Sequence, residues 1–181
     1  AVHLYATHDT MLVNPESVSF KAALPLGVES LPARELGERK ARNYAILENW
    51  ASFGKVTGMC FFGPAPRSFI AVDEIVQLVR AVTGWDVALD DLLRIGERAT
   101  NLARAFNVLH GFSRTDDTLP PRLFEPLPCG PMEGVAISKP DFERTMGTLY
   151  ELKGWDPATA RPTRDRLRGL EIEWVADLLE A

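Results

Sequence analysis

Cysteine is scarce in this 181-residue chain, which carries Cys60 and Cys129 alone. Two cysteines allow at most one internal disulfide, which excludes a secreted disulfide scaffold. Positive charge is not in excess either: 20 Lys and Arg stand against 25 Asp and Glu, net −5. Without a strong positive field, nucleic acid is excluded as an expected partner. No apolar run approaches the ~20 residues needed to cross a bilayer, and "AVHLYATHDT" lacks the basic-then-apolar layout of a secretory leader. The expectation is a cytoplasmic protein without a membrane partner. Ala1 is not an initiator methionine, so the chain reads as a fragment or a processed product. No low-complexity tract and no convincing period-two alternation occur, so strands are not expected.

What is present is helical. With 46% hydrophobic residues, a chain this long can bury roughly 70% of its unfolded surface around one core. Residues 1–32 are interrupted by Pro15, Pro25, Gly27 and Pro32 and are expected to form an irregular segment with only short regular pieces. From residue 33 to 181 the pattern predicts a helical domain. In "ARELGERKARNYAILENWASF" Leu36, Tyr44, Leu47, Trp50 and Phe53 recur at steps near three and four. In "SFIAVDEIVQLVRAVTGW" Val72, Ile75, Val76, Val79 and Val82 share a face, and Gly84 supplies the stop. "LDDLLRIGERATNLARAFNVLHGF" places Leu92, Ile95, Ala99, Leu102, Phe106 and Leu109 at the same spacing, with Asp90 and Asp91 at its positive end and His110 as a cation at the other. After "SRTDDTLPPRLFEPLPCGPMEG", a proline-rich loop without period, Ser138 and Asp141 resemble a capping box. The helix they open turns Phe142, Met146, Leu149 and Tyr150 inward and stops at Gly154. A short helix and a terminal one follow, the latter burying Leu170, Trp174, Val175, Leu178 and Leu179. The fold class expected is all-α, a multihelical orthogonal bundle with long proline-rich loops.

"TGWD" at 83–86 and "KGWD" at 153–156 form a small internal echo, read as glycine caps whose tryptophans fold back onto the helix just finished. Asp116 and Asp117 could together hold a hard cation. Neighbours in an extended loop point to opposite sides, however, and Arg114 and Arg122 stand close, so these acids are read as fixing the loop. Cys129 is read as a packing residue or a surface thiol.

The informative stretch is "GKVTGMCFFG", 54–63. A cysteine among Met59, Phe61 and Phe62 can be a core residue, a nucleophile or a metal ligand, and taken alone the core reading is the commonest. The order of "GMCFF", "VTGWD", "IGERATNLARAFNVLHGFSRTDDTLPPRLFEPLPCGP" and "LYELKGWD" resembles the C-terminal helical region of tungsten-containing aldehyde ferredoxin oxidoreductases, from about Val56 to Leu170.

That resemblance implies a part of a larger enzyme. It implies an upstream domain holding a tungsten or molybdenum pterin, a 4Fe-4S cluster, an aldehyde substrate and ferredoxin as electron acceptor, and it leaves homodimerisation open. Cys60 matches the last residue of the family's D-x-x-G-[LM]-C pattern, a cluster ligand. Gly58 would allow close backbone approach to the pterin, and Met59 would be an apolar neighbour of the site. The pattern's opening aspartate is Lys55 here, which has donors and no acceptor, so the pterin contact at this position must differ or be absent. "AVHL" resembles the second half of an R-G-A-x-H-[LM] segment near the metal, which makes His3 a candidate to hydrogen-bond or protonate the aldehyde oxygen. The upstream C-x-x-C-x-x-x-C run that supplies the other three cluster cysteines does not occur in these 181 residues. The chain by itself is therefore expected to be inactive and to hold no cofactor. The alternative is a non-catalytic helical interaction domain of the same ancestry.

Overall fold

The computed structural model describes residues 12–60, 62–66 and 70–180. Among these, seven α-helices and three short 3-10 turns account for the regular structure, and pairing is limited to two isolated bridges. The fold is all-α and multihelical.

Helix α1, Val18–Ala23, starts at Ser17, whose hydroxyl accepts from the Phe20 N–H at 3.1 Å. Its six residues fit the short pieces that the proline spacing permits. It packs firmly all the same. Phe20, Ala23, Leu26 and Val28 join Leu47, Trp50 and Phe53 of α2 in the main apolar cluster. Helix α2, Glu38–Val56, begins five residues later than the apolar pattern proposes. Gly37 adopts φ +111°, which a helix cannot continue through, so Leu36 lies outside it.

Helix α3, Val72–Thr83, opens where the Glu74 carboxylate accepts from the Ala71 N–H at 2.8 Å and stops at Gly84, φ +73°. Val72, Ile75 and Val76 enter the main cluster, whereas Val82 is exposed. Helix α4, Leu89–Leu109, opens in the same way, with Asp91 accepting from the Ala88 N–H at 2.8 Å. Its N-terminal half meets the main cluster through Leu92, and its C-terminal half carries Ala105 and Val108 into a second one.

The buried face of α4 differs from the apolar stripe in its sequence. Leu102, Phe106 and Leu109 are exposed, Phe106 by 60%, while Gly96, Thr100, Asn101 and Arg104 are buried. The reason is geometric. At the crossing with α2, Gly96 touches the Asn49 and Phe53 backbone, so the inner face there must be small rather than large. Beyond it the polar side chains each find a partner. The Thr100 hydroxyl lies 3.2 Å from that of Ser52, Asn101 accepts from the Trp155 Nε1–H at 2.9 Å, and Arg104 Nε donates to the Ala160 carbonyl at 2.7 Å.

Helix α5, Lys139–Lys153, is capped by Ser138 alone; Asp141 pairs with Arg144 rather than closing a reciprocal box. It leads to Gly154, φ +65°, and then to Trp155. This tryptophan folds back as expected, 9% exposed, with its ring centroid 5.8 Å from that of Tyr150. Trp85 in the matching "TGWD" is 59% exposed, because α3 ends at the surface and offers it no second helix. Helices α6, Arg164–Gly169, and α7, Trp174–Glu180, close the second cluster with Leu167, Val175, Ala176 and Leu179. Trp174 and Leu178, expected to be buried, are exposed, since α7 turns the face that carries Val175, Ala176 and Leu179 into the second cluster.

Candidate functional site at the end of helix α2

Helix α2 ends in a tightly specified turn that presents Cys60. The Gly58 N–H donates to the Lys55 carbonyl at 3.2 Å, and the Met59 N–H reaches back to the Gly54 carbonyl at 2.9 Å. This pair of bonds with Gly58 at φ +72° is a Schellman termination, which satisfies carbonyls that the last helical turn leaves open. The positive φ therefore has a local cause as well as the ligand-side one that the sequence resemblance implies. Met59 is half-buried and packs against the main cluster.

Beyond the cysteine the chain is pinned a second time. The Gly63 N–H closes a turn onto the Cys60 carbonyl at 2.9 Å, and the buried Trp50 indole donates to the Ala65 carbonyl at 2.7 Å. Cys60 thus sits between two anchors and its thiol is free and exposed. Its sequence neighbours Val56 and Phe62 are exposed too, Phe62 by 65%. A side chain displayed in this way is not a core cysteine. Lys55 is exposed in the last helical turn, where its charge complements the negative end of the helix. His3 lies outside the described residues.

Whether Cys60 fits a four-iron cluster is a question of donor count and placement. A thiolate ligand must reach outward from a fixed backbone, and Cys60 does. Among the described residues no three His, Cys, Asp or Glu side chains converge on a metal position.

The acidic loop is fixed by its two aspartates, but not through the flanking arginines, since Arg114 pairs with Glu143 and Arg122 with Glu125. Asp116 accepts from the Ser113 N–H at 2.8 Å. Asp117 receives Arg104 Nη1 at 3.0 Å and the Tyr150 hydroxyl. Arg104 also lies 5.0 Å from the Trp155 ring centroid. Burial and the Asp117 carboxylate push the Tyr150 phenol well above its ordinary value. His110 Nδ1 stands 2.8 Å from the Phe106 carbonyl, which only accepts, so that nitrogen carries the proton. Cys129 is an exposed thiol.

Sequence reasoning missed a cleft of ≈880 Å³ formed between the start of α2, the proline-rich loop and the start of α5. Leu36, Tyr44, Leu123, Leu127, Ile137 and Phe142 are among its walls. The available signal was the recurrence of Leu, Val and Ile within an otherwise unstructured loop.

The described residues form an all-helical unit that presents the exposed Cys60 thiol just beyond a helix end. The chain matches the family model described as aldehyde ferredoxin oxidoreductase, domains 2 and 3, over residues 4–172, and it belongs to that family. It is 30% identical over 142 residues to a tungsten-containing aldehyde ferredoxin oxidoreductase of Pyrococcus horikoshii, covering 77% of this chain and 22% of that protein. It is 32% identical over 124 residues to the protein of that description from Pyrococcus furiosus, covering 67% of this chain and 19% of the relative. An aliphatic sulfonate oxidoreductase, WOR-like subunit, of Pyrococcus furiosus is 33% identical over 90 residues, 46% of this chain and 14% of that one. The chain spans about a fifth of the length of the first two relatives.

Proposed function

We propose that this chain is the C-terminal helical part of a tungsten or molybdenum pterin enzyme that oxidises aldehydes to carboxylic acids, with Cys60 as one ligand of a 4Fe-4S cluster. The observation that carries the reading is the doubly anchored turn that exposes Cys60 inside the region shared with the family. When bound, the pterin-held metal would supply two-electron oxidation of the aldehyde with water as the oxygen source, and the cluster that Cys60 would help to hold would supply one-electron transfer toward ferredoxin.

This chain's own residues hold and orient. The Schellman turn fixes the backbone on the α2 side of Cys60, and Trp50 fixes it on the other, so the thiol has little freedom to lose on ligation. Gly58 keeps the turn free of a side chain where the pterin would approach. Lys55 would meet an anionic or carbonyl group of the cofactor, since an ammonium only donates. His3 is the candidate to hydrogen-bond the aldehyde oxygen. The upstream pterin domain is the partner proposed for the exposed apolar residues Val56 and Phe62, which exclude water from a cluster only when covered.

The test is metal content in the complete gene product. Cys60→Ala should lower iron to well below four per molecule and abolish aldehyde-dependent reduction of ferredoxin, with the helical circular dichroism unchanged. Full iron occupancy in that variant would remove Cys60 from the ligand set. A second reading, a non-catalytic interaction domain of the same ancestry, is favoured by Lys55 at the acceptor position. It predicts no tungsten, no molybdenum and no cluster iron in the complete product.

A further inference from the structure

The ≈880 Å³ cleft lies at the opposite end of α2 from Cys60. Its α2 wall runs from Lys40 to Leu47, the first half of a 19-residue helix about 28 Å long, whereas Cys60 lies past the other end. Its size is that of a small-molecule site, and its walls are mainly apolar, with Leu36, Leu123, Leu127, Ile137 and Phe142 contributed by three separate segments.

The charges around it are mostly accounted for. Arg122 stands 3.8 Å from Glu125, Arg144 pairs with Asp141, and Glu35 pairs with Arg39 at 3.3 Å. Arg34 differs. It is exposed to solvent where it lines the cleft and its guanidinium contacts the Met132 thioether, and among the described residues it meets no carboxylate. A thioether is a weak acceptor for a group with five donors in a fixed fork. A planar carboxylate is the acceptor that this fork matches, through two parallel bonds.

We propose that this cleft binds an apolar monocarboxylate, such as a medium-chain fatty acid, with the hydrocarbon along the Leu123, Leu127, Ile137 and Phe142 walls and the carboxylate on Arg34. The assignment rests on the cleft and its charge, not on redox chemistry at the Cys60 end.

The experiment uses the 181-residue chain, sodium octanoate and, as a neutral probe of similar length, 1-octanol. Calorimetric titration is combined with methyl resonances of Ile137, Leu127 and Met132. Octanoate should bind saturably at one site and shift those methyls. Arg34→Leu should weaken octanoate by about tenfold, the loss of roughly one charge-assisted pair, while leaving octanol unchanged. Arg34→Lys should recover only part of the affinity, since an ammonium lacks the fork. Ile137→Glu, which buries no new charge when the cleft is open to solvent, should abolish binding of both probes. Absence of saturable octanoate binding, shifts confined to the exposed Phe106 and Leu109 surface, or equal octanoate affinity with and without Arg34 would each overturn the proposal. None of these outcomes depends on iron or tungsten, so failure here is distinguishable from failure of the Cys60 reading.

Discussion

Gly96 of α4 lies directly against the Asn49 carbonyl of α2: a Cβ placed on Gly96 would stand 1.8 Å from that oxygen and 2.9 Å from the Phe53 nitrogen. Both neighbours are helix backbone and cannot rotate away, so the two longest helices cross at a distance that admits only glycine. The crossing fixes how α2 lies against α4, while the local turn at Gly58 sets where α2 ends.

Gly96→Ala is therefore expected to force α2 and α4 apart. The cost should be about 3 kcal/mol, at the upper end of overpacking changes. Urea unfolding of the two chains gives the comparison. A loss under 0.5 kcal/mol would mean that the crossing relaxes without resistance.

Asp117→Asn should be costly for a different reason. Arg104 is 7% exposed and draws its ion pair from Asp117, so the variant leaves a buried guanidinium without its counter-charge. Breaking one side of such a pair costs about 3 kcal/mol. Replacing Arg104 and Asp117 together with Met and Asn should cost less than the sum of the single changes, which a double-mutant cycle measures.

Tyr150 gives a pH dependence. Its phenol is raised by burial first and by the hydrogen bond to Asp117 second. A group whose folded value is raised contributes stability that is present below its unfolded value of about 10 and is lost as pH rises through the folded one. Absorbance titration near 295 nm should show one tyrosine that resists ionisation until the fold is lost. Tyr150→Phe should remove that late step and leave the earlier tyrosine ionisation in place.

Gly58→Ala separates the two roles of the Gly58 turn. An alanine at φ +72° should cost about 1 kcal/mol through the left-handed backbone alone. If the turn also admits the pterin, the same change in the complete gene product should lower pterin content beyond what the stability loss explains. Pterin content unchanged would assign Gly58 to the Schellman turn only.

Lys55→Asp restores the acceptor of the family pattern. Pterin and tungsten per molecule in the complete product should be retained or increased. In the 181-residue chain the change should cost about 1 kcal/mol, since an acid replaces a cation at the negative end of α2. A large loss of metal would show that the ammonium itself makes the cofactor contact.

The helices, their glycine stops and several caps were legible because they are local. Gly84 and Gly154 end helices as their sequence neighbours require, and Asp91 caps α4 from its first turn. Ser138 was readable as a cap, but its reciprocal partner was not, since Asp141 had Arg144 within one helical turn. Cys60 was readable as a residue of interest only through the family pattern. Composition alone would have put it in the core.

By itself the sequence determined an all-helical chain, the position of the α2 terminus and the residue types presented there, because helix periodicity, glycine at a left-handed stop and proline interruptions act within a few residues. Only the tertiary structure decided which face of α4 turns inward and which tryptophan of the repeated "GWD" is buried. The hydrophobic stripe of α4 predicts Leu102, Phe106 and Leu109 inside, but close backbone contact at Gly96 and the partners awaiting Asn101 and Arg104 outweigh it. Those partners, Trp155, Ala160 and Asp117, lie 54, 56 and 13 residues away along the chain. No local pattern carries their position; it exists only once the helices have crossed.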